Sequence, residues 1–342
     1  MKLFYSPQLH QPSNQPSNQP SNFGSALNRW LWPQLSPTLF PPKHSPSKHS
    51  SKYSPPKYSD PQDSLTADSI ANSDTTFVGM GTLINSQLSQ QTATTKKLII
   101  FGTGLGYEQP LINLPASWDI RCVRGPLSAK QLGLPAHKAI TDSGLLVSQV
   151  FTASAQREGC SFIPHIGHTI TADSSWQRIC KEAGIRYIDP RWPVEKILRA
   201  IASSDRILSE SLYGAIVADA LRIPWIPIVT SPRIYSFKWQ DWCASMNLFY
   251  HPYRLPALKS YQRWGQTLHS AKHWLEAALE GPVSSQQYEL FADERAIAQR
   301  LTNIAKQAPS LSPQSTFTQK LEQLQTSFSQ LCKQYSRDAV MH

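Results

Sequence analysis

Long apolar runs are missing from this 342-residue sequence. The longest apolar stretch, Gly214 to Thr230, is interrupted by Asp219, Arg222 and two prolines, whereas a membrane-spanning helix needs about 20 nearly uncharged residues. The N-terminus has only a three-residue apolar run, which is too short for the core of a secretory signal. The sequence therefore predicts a cytoplasmic protein without a membrane span.

Motifs of the common metal and nucleotide sites are also missing. The five cysteines never occur as Cys-x-x-Cys, and Asp-x-Asp, His-Glu-x-x-His and the Gly-x4-Gly-Lys-Ser/Thr loop are all absent. Scattered cysteines in odd number indicate reduced thiols rather than a disulfide framework or a zinc site. We therefore predict no metal site.

Positive charge is in excess but is not clustered. The formal net charge is +10, and residues 1–95 contribute little of it, with six Lys or Arg against four Asp. No run of Lys or Arg is longer than two. Nucleic-acid binding requires a basic stripe, so we expect no nucleic-acid partner. Spread charge suits an anionic small substrate, or peripheral contact with an anionic inner membrane surface.

Two segments near the N-terminus are low in complexity. Gln-Pro-Ser-Asn occurs three times from Gln11 to Asn22, and residues 41–73 are rich in Ser, Pro, Lys and Tyr. Such segments have few apolar side chains whose burial could offset the conformational entropy that the chain loses on folding. The apolar pattern of residues 23–35, which lie between the two segments, predicts a helix. We interpret residues 6–21 and 41–73 as insertions in a folded domain; a wholly disordered N-terminus is the alternative.

Short apolar strands alternate with helices through the rest of the chain. The predicted strands are 2–5, 76–79, 97–102, 120–124, 139–142, 161–165, 185–188, 206–210 and 225–229. The predicted helices are 126–132, 174–183, 194–203, 212–221, 257–280 and 319–336. This alternation predicts an α/β fold with parallel sheets covered on both faces.

A break near residues 150–160 divides this pattern into two sets. We predict two doubly wound halves, 1–155 and 156–342, the second including the C-terminal helices. Ligands of such sheets lie at the carboxyl ends of the strands, and we expect them in a cleft between the halves.

Three glycines follow the strand 97–101. Gly102, Gly104 and Gly106 form the motif Gly-x-Gly-x-Gly. A dinucleotide-binding site needs a helix directly after its glycines and an acidic residue further on, and the sequence has neither at those positions. We expect a tight turn that lines the cleft.

Arg124 joins a predicted strand to a helix that begins at Pro126. A guanidinium at this point can hold a carboxylate or a phosphate. A surface arginine paired to an aspartate is the alternative.

The clearest strand-to-helix junction follows Glu210. Ser211 can cap the helix and Tyr213 falls in its first turn, so Ser211, Leu212 and Gly214 are candidates for binding an anionic ligand. The alternative is that these residues only cap the helix and pack against its neighbours, without binding a ligand.

His165 and His168 end another predicted strand. No cysteine or carboxylate is near enough in sequence to complete a metal site. We expect the two histidines to line the cleft; a solvated loop is the alternative.

Six segments, in order, resemble the polysaccharide pyruvyl transferase family. They are Asn22–Asn28, Trp30–Pro33, Phe101–Tyr107, Val123–Ala129, Thr141–Ser143 and Ser209–Pro224. The resemblance covers residues 22–35 and about 76–250. It implies two Rossmann-like halves as in GT-B glycosyltransferases. It also implies transfer of a pyruvyl group, as a ketal, from phosphoenolpyruvate to a sugar of an exopolysaccharide or its lipid-linked precursor. Beyond this donor the resemblance implies no cofactor.

The resemblance also implies residue roles. Arg124 matches an anion-holding arginine, whereas Tyr213 stands where the family has a histidine, and Ser25 where it has an aspartate. A phenol is a weaker acid than an imidazolium. Tyr213 therefore predicts slower turnover, a different acceptor or an enzyme that has lost its activity, unless His165 or His168 takes the place of the family histidine as the acid.

Glu210, beside Tyr213, is the predicted general base. The predicted partners are a small-molecule donor and a glycan or glycolipid acceptor. Two alternatives stay open: a glycosyltransferase that uses a nucleotide sugar, and a non-catalytic relative that binds a polysaccharide intermediate.

Overall fold

The computed structural model of the protein describes residues 1–4, 22–41, 75–106, 114–230, 234–258 and 291–338. The chain separates into two compact units, residues 1–150 with 318–342 and residues 151–317. The predicted domains, 1–155 and 156–342, differ from these units in the place of the C-terminal segment, and as functional domains they stay a prediction. The predicted insertions, 6–21 and 41–73, lie outside the described residues apart from Pro41.

The first unit is built on parallel strands. They are β1 (Lys2–Phe4), β2 (Thr75–Val78), β3 (Thr82–Ile84), β4 (Lys97–Phe101), β5 (Gly104–Leu105) and β6 (Trp118–Cys122). β1, β2, β4 and β6 form one sheet in the order β1-β2-β4-β6, and β3 pairs with β5 separately. β4 is apolar along most of its length because a central parallel strand is buried on both faces.

The second unit contains a five-stranded parallel sheet. Its strands are β7 (Cys160–Ile163), β8 (Arg186–Tyr187), β9 (Arg206–Ser209), β10 (Trp225–Val229) and β11 (Tyr253–Arg254), in the order β11-β10-β9-β7-β8. A short parallel pair, β12 (Ala257–Leu258) and β13 (Phe291–Ala292), accompanies it. The chain passes from β7 outward to β8 and then back to β9 on the other side of β7. The strand order therefore reverses between β7 and β9, and ligands of such sheets bind at the carboxyl ends of the strands at this point.

Helices alternate with these strands. In chain order they are α1 (Phe23–Leu35), α2 (Ser86–Gln91), α3 (Pro126–Gln131), α4 (Ile166–Glu182), α5 (Val194–Ala202), α6 (Leu212–Ala220), α7 (Ser236–Ser245), α8 (Glu294–Ala305) and α9 (Gln314–Asp338). Among those described, none is both long and apolar enough to cross a bilayer.

Aromatic side chains fill the core of the first unit. The ring of Trp32 packs edge-on against Phe77 and Phe101, with centroids 4.7 and 5.8 Å apart. Phe328 of α9 contacts Trp32 and Phe101 from the far end of the sequence. The indole N–H of Trp32 donates to Asn28 Oδ1 (2.6 Å), so its polar atom is satisfied in the interior. α9 is thereby tied to the first unit.

The predicted α/β fold class is confirmed, since both sheets are parallel and helices alternate with the strands. Two predicted elements are wrong. Residues 139–142 form no strand, because Ala139 makes only a single bridge to Val123 before a 3-10 turn begins at Ser143. Residues 257–258, predicted as the start of a long helix, form β12, and most of that predicted helix lies outside the described residues.

Candidate active site

Polar side chains converge where β7, β9 and β10 end. His165 follows β7, Glu210 follows β9 and Thr230 follows β10. These three strands are adjacent and parallel, so their carboxyl ends lie at one edge of the sheet. His168, in the first turn of α4, joins them. The cluster occupies the point at which the strand order reverses.

Glu210 is the centre of this cluster. Its side chain is fully buried. Oε1 accepts hydrogen bonds from the backbone N–H of Thr230 (2.9 Å) and from Thr230 Oγ1 (2.5 Å). Oε2 accepts from the backbone N–H of His165 (3.0 Å) and from Nδ1 of His168 (2.7 Å). Four donors from three residues therefore hold one carboxylate in a single orientation.

These contacts keep Glu210 ionised. Burial alone would raise the pKa of its carboxyl. The charge and hydrogen bond of His168, the charge that His165 acquires only at low pH and the hydrogen bond of Thr230 outweigh burial and lower the pKa to about 2. A carboxylate so fully engaged is a poor proton acceptor and a good hydrogen-bond partner for an imidazolium. The geometry favours an orienting role for Glu210, and its predicted role as the general base stays a prediction.

His165 caps the helix that carries His168. Nδ1 of His165 accepts from the backbone N–H of Gly167 (3.2 Å), which satisfies one of the unpaired donors at the start of α4. The two imidazole rings lie 6.2 Å apart, nearly perpendicular to each other. Burial lowers the pKa of His165 to about 4, and the nearby Lys238 adds to this effect, so His165 is neutral at physiological pH.

The first turn of α6 begins beside Glu210. Ser211 caps the helix through its hydroxyl, which accepts from Gly214 N. Gly214 is required by packing, since a Cβ there would lie 2.4 Å from Ser209 Oγ. Leu212 and Gly214 are buried, whereas Ser211 and Tyr213 are partly exposed. Tyr213 is thus the accessible large side chain of this turn.

The other residues predicted to belong to the site lie in the first unit. Arg124 is fully buried and its Nη1 donates to Thr82 Oγ1 (3.0 Å). A Cβ at Gly104 would lie 2.4 Å from Cζ of Arg124, so this glycine lets the guanidinium pack against the loop after β4. Gly102, with φ of +81°, packs against Ser143. α3, which follows Arg124, is only six residues long.

The loop is completed by Gly106, whose missing Cβ leaves room for the side chain of Asn85. The fold therefore brings the predicted residues into two clusters. Gly102, Gly104, Gly106 and Arg124 lie in the first unit, and the histidines, Glu210 and the start of α6 lie in the second. Whether the three glycines line a cleft stays a prediction.

Thr230 is the site residue that the sequence analysis missed. Its only signal was its place directly after the strand 225–229, at the end that faces ligands in parallel sheets. The start of α4 was also missed, because its first turns are polar and rich in β-branched residues, and histidine is an uncommon cap.

The described part of the chain contains no group of side chains suited to bind a metal ion. There, no three His, Cys, Asp or Glu side chains are arranged to hold a metal ion. All five cysteines are free thiols.

Comparisons with known proteins indicate one family. The family model for polysaccharide pyruvyl transferase matches residues 26–232, more than half of the chain. This chain belongs to the polysaccharide pyruvyl transferase family. It is also 33% identical over 277 residues to the succinoglycan biosynthesis protein ExoV of Rhizobium meliloti (strain 1021), a match that spans 74% of this chain and 86% of that protein.

Membership confirms the resemblance seen in the sequence and implies a transferase with a sugar acceptor. The matched residues include both clusters, from Gly102 to Thr230. The family match thus covers the buried Glu210 and the histidines around it.

Proposed function

We propose that this polysaccharide pyruvyl transferase family member moves a pyruvyl group from phosphoenolpyruvate to a sugar acceptor as a ketal. The supporting observation is the 2.7 Å hydrogen bond between His168 and the fully buried Glu210, at the point where the strand order reverses. The acceptor is a sugar of an exopolysaccharide or its lipid-linked precursor, in keeping with the name of the ExoV relative.

The chemistry needs a proton donor near the substrate. A proton is added to the methylene carbon of phosphoenolpyruvate, which leaves an oxocarbenium-like centre at the neighbouring carbon. A sugar hydroxyl attacks that carbon, the bond to phosphate breaks, and a second hydroxyl closes the ketal. The hydroxyls release two protons. One replaces the proton given to the methylene carbon and the other leaves with the phosphate, so the atoms balance without an oxidant or reductant.

In this proposal His168 is the catalytic acid. Its Nδ1–H donates to the ionised Glu210, so the proton delivered to substrate is carried by Nε2. Glu210 is a positioning residue, because it acts on the substrate only through His168. Tyr213, partly exposed on the first turn of α6, donates a hydrogen bond to the donor in place of the family histidine.

The remaining residues are given supporting roles. Ser211, Leu212 and Gly214 shape the start of α6 so that its backbone faces the anionic donor. The predicted binding of the donor by Arg124 stays a prediction, and its buried guanidinium packs against Gly104 and donates to Thr82.

The assignment of the acid is tested with three variants and one matched control. We expect His168→Gln to lower turnover by about 10²–10⁴-fold, and Tyr213→Phe to lower it by only about 10-fold. His137→Gln, at an exposed position in the first unit, controls for loss of a histidine. Tyr213→His should retain activity. Pyruvylated acceptor is measured by mass spectrometry with phosphoenolpyruvate and lipid-linked sugars.

One result would reject this assignment of the acid. If Tyr213→Phe abolishes turnover while His168→Gln is unaffected, the phenol is the acid. Thermal-shift measurements test the alternative functions, since a ligand that binds only the native state raises the melting temperature. Stabilisation by nucleotide sugars alone would indicate a glycosyltransferase. Binding without turnover in any variant would indicate a non-catalytic relative, the class that Tyr213 at the family histidine position favours.

A further inference from the structure

Hydrogen bonds fix one ring proton on each histidine of the cluster, on Nε2 of His165 and on Nδ1 of His168. The backbone N–H of Gly167 can only donate, so Nδ1 of His165 is an acceptor and the ring proton of His165 lies on Nε2. An ionised carboxylate can only accept, so Nδ1 of His168 carries a proton toward Glu210. The proton exchanged by His168 is therefore on Nε2, and the fixed proton of His165 is also on Nε2.

We propose that His165 is a fixed hydrogen-bond donor of the active site, whose Nε2–H binds a phosphate oxygen of the donor substrate while His168 moves the proton. This inference rests on the proposed pyruvyl transfer. It gives the two histidines different tasks: one remains neutral and binds the leaving group, and the other changes its charge.

The surroundings keep His165 neutral. Burial has the largest effect on its pKa, Lys238 and His168 disfavour a second positive charge, and Glu210 opposes them only in part. Lys238 lies in the first turns of α7 and is itself buried. A proton gained by His168 during the reaction therefore makes protonation of His165 still less favourable.

Gly167 gives the His165 ring its position. A Cβ at Gly167 would lie 3.3 Å from Nδ1 of His165, tighter than an ordinary contact. Glycine therefore lets the ring lie over the first turn of α4 while Nδ1 accepts the capping hydrogen bond. The opposite nitrogen, Nε2, is then directed away from the helix backbone.

Two substitutions at His165 separate capping from substrate binding. Asparagine is a preferred helix cap, and its amide oxygen replaces Nδ1, but it has no group at the position of Nε2. Glutamine reaches the position of Nε2 with an N–H donor but is a poor cap. We expect His165→Asn to keep the melting temperature and to lower turnover on the order of 10²-fold. We expect His165→Gln to melt a few degrees lower and to stay within about 10-fold of wild-type turnover.

A second measurement does not depend on turnover. Proton–nitrogen correlation spectra of the imidazole rings in the full chain should show His165 as the Nε2–H form, without titration, from about pH 5.5 to 8. Inorganic phosphate should shift the Nε2 signal of His165, and a larger shift with sulfate than with phosphate would indicate a nonspecific anion effect and count against the inference.

The two proposals can fail separately. Wild-type turnover in His165→Asn, the Nδ1–H form of His165, or no response to phosphate would each overturn the inference about His165. A chain that shows the expected spectra and phosphate response, but turns over no acceptor, would overturn pyruvyl transfer and retain the anion-binding histidine.

Discussion

Replacing Glu210 by glutamine changes one carboxylate oxygen to an amide nitrogen where four hydrogen-bond donors meet. Each oxygen of Glu210 accepts from one backbone N–H and one side chain, from Thr230 at Oε1 and from His165 and His168 at Oε2. An amide nitrogen at either position faces a backbone N–H that cannot act as an acceptor. One buried donor is therefore left unpaired in either orientation of the amide, and the negative charge is lost.

The magnitude follows from these contacts. A hydrogen bond to a charged group contributes about 1.5–3 kcal/mol, and a buried donor left unpaired costs about 1–3 kcal/mol. We expect Glu210→Gln to lower the free energy of unfolding by about 2–5 kcal/mol. For a domain of the size of the second unit, 1 kcal/mol shifts the melting temperature by about 2–4 °C, so the expected decrease is about 4–20 °C. Turnover should fall by about 10²–10⁴-fold, because His168 loses the acceptor that orients its ring.

Asp219 provides the matched control. It lies on α6 in the same unit, is fully buried, and accepts from Trp225 Nε1 (3.0 Å), Ser312 N (2.9 Å) and Ser312 Oγ (2.5 Å). Asp219→Asn should therefore lose a similar amount of stability. Because Asp219 makes none of the contacts of the histidine cluster, turnover per folded molecule should stay at the wild-type level.

Calorimetry and pyruvylation assays well below both melting temperatures give the comparison. Wild-type turnover in folded Glu210→Gln would refute the orienting role of Glu210. Equal loss of turnover in the two variants would attribute the effect to general destabilisation instead of to His168. An unchanged melting temperature in Glu210→Gln would refute the hydrogen-bond argument.

Two further predictions concern packing and pH. Gly104→Ala places a Cβ 2.4 Å from the guanidinium of Arg124 and should lower the free energy of unfolding by about 1–3 kcal/mol. Gly133→Ala, with φ of +63° and open space around it, should lose only about 1 kcal/mol from backbone strain, and a larger loss at Gly133 than at Gly104 would contradict this ranking. The pKa of His165 is lower in the folded protein than its ordinary value of 6.5, so the unfolded chain binds the extra proton and stability should fall between about pH 6.5 and 4. The lowered pKa of Glu210 extends the loss toward pH 2. In urea titrations at each pH, His165→Asn should lack the stability loss between about pH 6.5 and 4 but keep the loss toward pH 2. A wild-type stability that does not change between about pH 6.5 and 4 would contradict the lowered pKa of His165.

Local sequence patterns predicted the regular elements well where they were strongly apolar. The strand 225–229 has the predicted bounds, and α6 begins at the predicted residue, because a buried strand and a capped helix each leave a short-range pattern. Prediction failed where contacts override pattern. Residues 139–142 read as a strand, but they lead into a 3-10 turn that packs against Gly102.

The sequence by itself determined the α/β class, the family and the candidacy of His165, His168 and Glu210. Only the tertiary structure decided which of these residues meet, because His168 and Glu210 are 42 positions apart and come together only through the order of the strands. Strand order depends on backbone pairing, which any strand can offer to any other and which no local pattern encodes. The contacts of Glu210 followed from that order: its buried carboxylate accepts hydrogen bonds from Thr230 and from both histidines, and its role as general base stays a prediction.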